Sequence, residues 1–390
     1  MIDNNSVSEI IGSYGTPVYV FDENEVISRA EKIRDMLGTA LLCYSVKANP
    51  FLIPALIPVV RYFEVCSPGE LQICKNLRVP PEKIIYSGVH KESSDIEDAM
   101  KLNVAIITAE SLRQWSLICE AAKKLDTRSD VILRLSSNNQ FGMSVEDIRT
   151  ILSNPSGNAT VIGLHYFAGT DRKQNKIRAE ELDMLSELLC TLRSEYSCGL
   201  SMLEYGPGLP FPYFTGSDFS DTLAPLKELT KILGKIPKDI TLSVEMGRFI
   251  ASSCGYYITS VCDLKRSYDA NWCIIDGGIN HINYLGQMMG MKTPVIWHFR
   301  DDEKIADHDG QVYCICGSLC TTNDVLVREL PLNDLRIGDT LVFTNIGAYS
   351  ITESFGLFLS RTLPRVVMLN DGDTRLVRDH IETWKINSRN

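Results

Sequence analysis

The segment Ala40-Leu41-Leu42-Cys43-Tyr44-Ser45-Val46-Lys47 is a short apolar run that ends in a lysine. Its length and apolar character predict a buried β-strand. An amphipathic helix precedes it from about Asp22, because apolar residues recur at helical spacing up to Leu37. A lysine at the end of an inward-facing strand is costly to desolvate unless it is paired or neutral. Lys47 is therefore a candidate for a special role, although most lysines are solvated surface groups.

Strand-like runs similar to this one recur along the first two thirds of the chain. The eight predicted strands lie near residues 40–46, 62–65, 84–87, 104–108, 131–135, 161–167, 202–205 and 241–245. Segments with helical spacing separate several of them, at 67–77, 112–125, 178–192 and 220–233. Eight short apolar strands that alternate with helices favour a closed parallel barrel, because such strands need cover on both faces. A doubly wound open sheet is the alternative fold.

The pattern changes after about Ser252, where strand-like runs follow one another without helices between them. This indicates a second, antiparallel β domain. The early run Pro17-Val18-Tyr19-Val20-Phe21 predicts one more strand, which could join that domain from the other end of the chain. We therefore expect a barrel domain at residues 22–251 and a β-rich domain formed by residues 1–21 and 252–390.

The composition of the 390 residues is typical of a globular enzyme, with 44% hydrophobic and 23% charged residues. The net charge of -10 argues against nucleic acid as the main partner, which would require a basic face.

No signal peptide or membrane span is predicted, so we expect a cytoplasmic protein. Twelve cysteines fit a reducing compartment. We predict no metal site, because Cys314, Cys316, Cys320 and His308 match no usual ligand spacing.

Polar residues cluster where the predicted barrel strands end, which is the reactive face of such barrels. Lys47 follows the first strand, and a lysine with a depressed pKa can form a Schiff base. Glycines and an arginine after the last two strands could hold a phosphate through backbone N–H groups and a guanidinium. These residues are Gly206, Gly208, Gly247 and Arg248. Each glycine alone could equally mark an ordinary turn.

A Schiff-base lysine opposite a phosphate site suggests pyridoxal 5'-phosphate as the cofactor. Glu245, at the end of the eighth strand, could then pair with the ring nitrogen and keep it protonated. The alternative is a structural Glu245 that pairs with Arg248 or with another arginine of the barrel.

The chain resembles the fold-type III pyridoxal-phosphate enzymes, the diaminopimelate, ornithine and arginine decarboxylases that share their barrel with alanine racemase. The motifs that carry this resemblance occur in the family's order: Tyr44-Ser45-Val46-Lys47-Ala48-Asn49, Glu64-Val65-Cys66-Ser67-Pro68-Gly69-Glu70, Gln140-Phe141-Gly142-Met143, Gly163-Leu164-His165-Tyr166-Phe167-Ala168-Gly169-Thr170, Glu245-Met246-Gly247-Arg248, Gly317-Ser318-Leu319-Cys320-Thr321-Thr322-Asn323-Asp324 and Gly347-Ala348-Tyr349. The resemblance covers nearly the whole chain.

The resemblance implies a homodimer with two shared active sites. Cys320 of the partner subunit would cross the interface and deliver the proton that replaces the lost carboxylate, although Cys320 taken alone would more often be a buried packing residue. Tyr349 would contact the cofactor phosphate. The resemblance further assigns Glu64, Arg134, Phe167 and Thr170 to cofactor binding, and Thr321 and Asp324 to substrate binding.

Four departures from the family pattern bear on the substrate and the cofactor. Phe167 stands where many relatives place a histidine against the pyridine ring, and Pro207 removes one N–H from the glycine loop. Thr321 follows Cys320 where relatives that act on free diamino acids have a carboxylate. The segment Asn280-His281-Ile282-Asn283-Tyr284-Leu285 also lacks the arginine–proline element of the diaminopimelate enzymes.

The pattern is closest to a branch with the butirosin-type decarboxylase, which acts on a glutamyl group tethered to an acyl carrier protein. The shared features are Leu-Cys-Thr at 319–321, Gly-Thr at 169–170 and Pro212-Tyr213-Phe214. We therefore expect decarboxylation of an amino acid that is modified or tethered. The alternatives are decarboxylation of free diaminopimelate, ornithine or lysine, racemisation, and a catalytically silent homologue that regulates a true decarboxylase.

Overall fold

The computed structural model describes residues 2, 4–287, 289–301, 303–306 and 310–389. Its strands are β1 Val18–Asp22, β2 Leu41–Ser45, β3 Tyr62–Val65, β4 Ile84–Tyr86, β5 Ile106–Ala109, β6 Ser129–Arg134, β7 Ala159–Phe167, β8 Met202–Gly206, β9 Thr241–Met246, β10 Gly255–Ser267, β11 Ala270–Ile275, β12 Ile296–Arg300, β13 Glu303–Ile305, β14 Gln311–Cys316, β15 Val325–Leu332, β16 Thr340–Thr344, β17 Arg365–Asn370 and β18 Asp373–Arg378.

The α-helices are α1 Asn4–Tyr14, α2 Glu23–Leu37, α3 Ile53–Leu56, α4 Pro68–Asn76, α5 Ser93–Leu102, α6 Leu112–Leu125, α7 Val145–Ser153, α8 Asn175–Tyr196, α9 Ala224–Leu233, α10 Arg248–Ala251, α11 Ser350–Glu353 and α12 Trp384–Asn387. None of the helices in the described part of the chain has the length and apolar character that crossing a lipid bilayer requires.

The chain forms two compact units. The barrel unit consists of Arg29–Phe211 and Asp221–Ile250, and the β unit consists of Met1–Ser28, Pro212–Ser220 and Ala251–Asn390. In the barrel unit, β2 to β9 pair in sequence order and β9 closes onto β2, with every pair parallel. The expected closed barrel is confirmed, and the doubly wound open sheet is excluded.

Side chains at the bottom of the barrel form an apolar core, which includes Ile85, Ile106, Ile132 and Met202. Toward the carboxyl ends of the strands the interior becomes polar. His165, Glu204 and Glu245 are all buried there. The fold therefore places an ionisable cluster inside a scaffold that apolar packing holds rigid.

The β unit is built on ten paired strands and is mostly antiparallel, as expected. Strand β1 lies between β10, which runs antiparallel to it, and β17, which runs parallel to it. The predicted early strand therefore does join the β-rich part of the chain. A core that includes Val18, Val20, Ile258 and Val342 packs on this sheet, and Val7 and Ile10 of α1 belong to the same core.

Candidate active site

Lys47 lies in a single 3₁₀ turn, Val46–Ala48, directly after β2. Two contacts fix this turn: the hydroxyl of Tyr44 donates to the carbonyl of Asn49 over 2.9 Å, and the Asn49 side chain accepts from the N–H of Phe51 over 3.0 Å. Pro50 follows as the first residue of the next turn. The chain thereby leaves the strand at once and holds the lysine at the carboxyl end of the barrel.

Two carboxylates flank the amine of Lys47. Its Nζ atom lies 3.0 Å from Oε2 of Glu64, on β3, and 3.4 Å from Oε1 of Glu245, on β9. Both glutamates are buried, whereas about a third of the lysine side chain is exposed (36%). The site thus offers an accessible amine that two fixed acceptors position.

Glu245 is the centre of a buried hydrogen-bond network. Its Oε1 accepts from the Ser45 hydroxyl over 2.9 Å, and its Oε2 lies 3.2 Å from Nε2 of His165, on β7. Burial by itself would raise the pKa of Glu245, but Lys47 and His165 outweigh burial and hold that pKa well below its ordinary value. Glu245 is therefore an anion inside the barrel.

His165 responds in the opposite direction. Burial would lower its pKa, but the hydrogen bond to Glu245 and the nearby Glu204 raise it above the ordinary value. Because Glu245 is anionic and accepts a hydrogen bond from His165, it can stabilise a positively charged group that binds next to it.

Phe167 and Arg134 border the same opening. The ring centroid of Phe167 lies 6.0 Å from the Nζ atom of Lys47, so an aromatic face is close to the amine. Arg134, at the end of β6, donates from Nη1 to Oε1 of Glu110 over 2.7 Å, and its guanidinium covers the ring of Phe141 at 4.7 Å. Glu110 thereby fixes the direction of the arginine.

The loops after β7 and β8 interlock. The N–H of Arg172 donates to the carbonyl of Gly208 over 2.8 Å. A Cβ atom at Gly208, whose φ is +60°, would lie 1.9 Å from the carbonyl oxygen of Gly169. Thr170 is exposed in the first of these loops. Glycine at position 208 is therefore required by close backbone approach as well as by its conformation.

Two further glycines line the barrel mouth at close range. A Cβ atom at Gly206 would lie 2.3 Å from Cδ2 of Phe167, and one at Gly247 would lie 2.9 Å from the Cβ atom of Ala48. Arg248, which begins α10, is buried. A side chain at Gly206, Gly208 or Gly247 would thus collide with a neighbouring residue of the barrel mouth.

The remaining predicted site residues belong to the β unit. Cys320 is exposed, Thr321 is half-buried and Asp324 is buried. The Oδ1 atom of Asp324 accepts from the N–H of Ile279 over 2.9 Å, and its Oδ2 accepts from the N–H of Leu319 over 2.7 Å. Asp324 therefore shapes the loop that carries Cys320, and its role in substrate binding stays a prediction.

Tyr349 precedes α11 and has a left-handed backbone conformation with φ +66°. This conformation is uncommon for a residue with a side chain and often marks a functional position. Its proposed contact with cofactor phosphate stays a prediction.

The sequence interpretation missed some neighbours of Lys47. Cys66 donates from Sγ to Oε1 of Glu64 over 2.9 Å and lies 3.7 Å from the Nζ atom of Lys47. Burial and the adjacent Glu64 raise the pKa of its thiol well above the ordinary value, so it is a neutral donor. Glu110 was also missed, although it follows β5 just as Lys47 follows β2, and that shared position was the available signal.

The cysteines raised in the metal question lie in the β unit. The Sγ atoms of Cys314 and Cys316 are 3.8 Å apart, and His308 lies outside the described residues. Within the ranges that the structure describes, no group of three or more His, Cys, Asp or Glu side chains has an arrangement suited to a metal ion.

The chain is similar to proteins of known function over almost its full length. Diaminopimelate decarboxylase of Aquifex aeolicus is 25% identical and aligns with 97% of this chain and 92% of its own length. The L-glutamyl-[BtrI acyl-carrier protein] decarboxylase of Niallia circulans is 24% identical, over 97% of this chain and 93% of its own. The crystal structure of the Methanocaldococcus jannaschii diaminopimelate decarboxylase with L-lysine superposes with a TM-score of 0.85 at 23% identity, over 97% and 93% of the two chains.

A family model also matches residues 23–252, which is more than half of the chain, and its description is the pyridoxal-binding domain of pyridoxal-dependent decarboxylases. These residues contain every strand of the barrel and the cluster around Lys47. The chain therefore belongs to the pyridoxal-dependent decarboxylases and is an enzyme that uses pyridoxal phosphate to remove CO2 from an amino acid.

Proposed function

We propose that the substrate is an L-amino acid without a free distal ammonium group, and that this amino acid is modified or tethered to an acyl carrier protein. The observation that carries the proposal is the orientation of Asp324. Both of its carboxylate oxygens accept backbone N–H groups, so Asp324 is directed at the backbone around its own loop, and Leu319 to Asp324 contains no other carboxylate. A buried ammonium group without an anionic partner keeps most of its desolvation cost.

Thr321 cannot replace the missing charge. Its hydroxyl oxygen accepts from the N–H of Asn323 over 3.3 Å, which is a contact within the same turn. The relative from Niallia circulans, whose name specifies a glutamyl group on a carrier protein, supports this substrate class.

The residues around Lys47 fit the cofactor. A half-buried, accessible amine lies beside an anionic carboxylate, and glycines whose side chains would collide with their neighbours line the rim. When bound, pyridoxal phosphate supplies an electron-withdrawing ring that accepts the electron pair released as CO2 leaves. We assign covalent attachment of the cofactor to Lys47 and protonation of the ring nitrogen to Glu245.

We assign the other predicted residues as follows. Phe167 would cover one face of the ring, while Glu64 and Arg134 would orient Lys47 and the cofactor. The phosphate would be held by Thr170, Gly206, Gly208, Gly247, Arg248 and Tyr349. Cys320 of a second copy would return a proton to the substrate carbon, which requires a homodimer with two shared sites.

The domain boundaries and the compartment belong to the same proposal. We take residues 22–251 as the cofactor domain, which the family match over 23–252 supports, and residues 1–21 with 252–390 as the β-rich domain. All twelve cysteines are free thiols, which supports a cytoplasmic location.

Decarboxylation of a free diamino acid is the second candidate, and one observation favours it. In the β unit, a cavity of about 400 Å³ is lined by Asn283, Gln287, Asn323 and Glu353. The Glu353 side chain is exposed and could pair with a distal ammonium.

A screen of CO2 release separates the two candidates. It compares free diaminopimelate, ornithine and lysine with aminoacyl thioesters of a carrier protein. We expect tethered or modified amino acids to react faster by about a hundredfold or more. A free diamino acid that reacts at a comparable rate, and that loses this rate in Glu353→Gln, would instead establish the second candidate.

A further inference from the structure

The loop after β8 offers few backbone donors for a phosphate. Gly206 is the last residue of β8, and Pro207, which follows it, has no N–H group. The N–H of Gly208 is therefore the first backbone donor beyond the strand. In the described part of the chain, no backbone carbonyl accepts a hydrogen bond from it. Phosphate binding at this loop thus depends on the direction in which the N–H of Gly208 points.

A buried arginine sets this direction. Arg178, on α8, is only 2% exposed, and its Nε atom donates to the carbonyl of Pro207 over 3.0 Å. The peptide that joins Pro207 to Gly208 is trans, so its C=O and N–H groups point in opposite directions. Because the carbonyl is turned toward Arg178, the N–H of Gly208 is turned away from α8.

The same arginine ties this loop to the loop after β7. Its Nη2 atom donates to the backbone carbonyl of Arg172, and the N–H of Arg172 donates to the carbonyl of Gly208 over 2.8 Å. The Arg172 side chain is fixed as well, since Glu181 of α8 accepts from its two Nη atoms over 2.9 and 2.5 Å. The hydroxyl of Tyr205, on β8, also donates to Glu181, over 2.7 Å. The carbonyls of Pro207 and Gly208 therefore both have partners within the protein.

We propose that Arg178 is a positioning residue for the cofactor: by holding the carbonyls of Pro207 and Arg172, it presents the N–H of Gly208 to the cofactor phosphate. Burial of a guanidinium is costly, and several well-placed acceptors are needed to offset that cost. The planar fork of arginine can bind two fixed carbonyls at once, whereas a lysine amine is a point charge on a flexible stem. The inference rests on the proposed function in that the phosphate is assigned to the glycine loops.

The first test compares pyridoxal 5'-phosphate with pyridoxal, which lacks the phosphate, by titrating each into the cofactor-free full-length protein. In Arg178→Met we expect the affinity for pyridoxal 5'-phosphate to fall by about tenfold or more, because a hydrogen bond to a charged group is lost. The affinity for pyridoxal should stay at the native value. Arg178→Lys keeps the charge without the fork and should recover only part of the loss.

Arg193→Met is the matched control. It removes another guanidinium from α8, one that pairs with Asp239 over 2.6 Å, and it should change neither affinity. Equal losses for the two ligands in Arg178→Met would overturn the proposal, because the damage would then not involve the phosphate. Full recovery in Arg178→Lys would also overturn it, because charge alone would then be sufficient.

A second measurement needs no variant of Arg178. The sequence contains two Pro-Gly pairs, Pro68-Gly69 and Pro207-Gly208. Labelling proline with ¹³C at the carbonyl and glycine with ¹⁵N therefore selects two amide signals in NMR of the full-length protein. Gly69→Ala, at an exposed position, removes one signal and so identifies the other. We expect pyridoxal 5'-phosphate to shift the Gly208 signal much more than pyridoxal does, and to leave the Gly69 signal in place.

The two ways in which this measurement can fail are distinguishable. If Lys47 carries the cofactor but the Gly208 signal does not move, the inference about Arg178 is wrong and the proposed function stands. If Lys47 carries no cofactor after borohydride reduction, the proposed function is refuted together with the inference.

Discussion

The Nζ atom of Lys47 lies 3.0 Å from Oε2 of Glu64. This contact holds the amine at the mouth of the barrel, where the proposed function requires it to react with the cofactor aldehyde. Borohydride reduction should therefore link the cofactor permanently to Lys47, and peptide mapping should find no label in Lys47→Ala. Lys91 serves as an internal control and should stay unlabelled, because it is buried and binds the carbonyl of Gly88 and the side chain of Gln114. Label on any other lysine would refute the site assignment.

Cys320 is expected to act across a dimer interface. Cys320→Ala should retain the cofactor but form product slowly or divert to abortive transamination. Mixing Lys47→Ala and Cys320→Ala dimers under conditions of subunit exchange should make about half of the dimers hybrid, each with one intact site, and so restore about a quarter of the native activity. Demonstrated exchange without any recovery would argue against shared sites.

Thr321 is expected to limit turnover of free diamino acids. Thr321→Asp should raise the relative turnover of lysine or ornithine, because it supplies an anion for the distal ammonium. Thr321→Asn has a similar size without the charge and serves as the control. Measured kcat/KM ratios that change equally in both variants would mean that charge at this position does not select the substrate.

Gly206 is expected to leave the space that the ring of Phe167 occupies. In Gly206→Ala the new methyl group would have to displace the ring, since it would lie only 2.3 Å from Cδ2 of Phe167. We expect a stability loss of about 1–3 kcal/mol and weaker retention of the cofactor during dialysis. Gly199→Ala is the control, because a Cβ atom there meets nothing within 4 Å. Normal retention in Gly206→Ala would place the cofactor away from Phe167.

Asp339 is expected to stabilise the β unit in a pH-dependent manner. It is buried and accepts from Nε2 of His298 at 2.8 Å and from Nε of Arg300 at 2.9 Å. Burial would raise its pKa, but these hydrogen bonds lower it. A depressed carboxyl pKa stabilises the fold above the unfolded-state pKa of about 4, and this stabilisation is lost as the pH falls through the folded-state value.

Asp339→Asn should therefore lower the free energy of unfolding by about 3 kcal/mol at pH 7, and the difference from the native protein should shrink in acid. Asp334→Asn is the control. Asp334 also pairs with Arg300, but its side chain is 64% exposed and solvent screens the pair, so this substitution should lower the free energy of unfolding much less than Asp339→Asn does. If chemical denaturation gave the same loss of unfolding free energy for Asp339→Asn and Asp334→Asn, burial of Asp339 would not strengthen its contacts.

The sequence predicts the barrel well because its strands are apolar runs bounded by turns, and the eight runs match β2 to β9. It does not predict β15, in which Arg328, Glu329 and Pro331 interrupt any alternation. Among the strands of the described residues, β15 pairs with β14 alone, and an edge strand of this kind tolerates proline. Long-range pairing, rather than local preference, determines this element.

Individual residues of the site were easier to predict than their partners. Lys47, Glu64 and Glu245 could be chosen because each follows or ends a strand. The pairing of His165 with Glu245 joins residues 80 positions apart, and that of Arg134 with Glu110 depends on which strands become neighbours. Such contacts form only when the barrel closes, and a local sequence pattern does not predict which strands become neighbours.

The position of β1 between β10 and β17 has a consequence for biosynthesis. During translation β1 leaves the ribosome first, yet neither of its edges can be filled until β10 emerges, and the second edge stays open until Arg365–Asn370 has been made. All eight barrel strands are complete by Met246, well before that point. A nascent or prematurely stopped chain can therefore contain a finished barrel together with an open, apolar strand edge. Such an edge invites misassembly, so truncation before Arg365 should favour aggregation over a folded fragment.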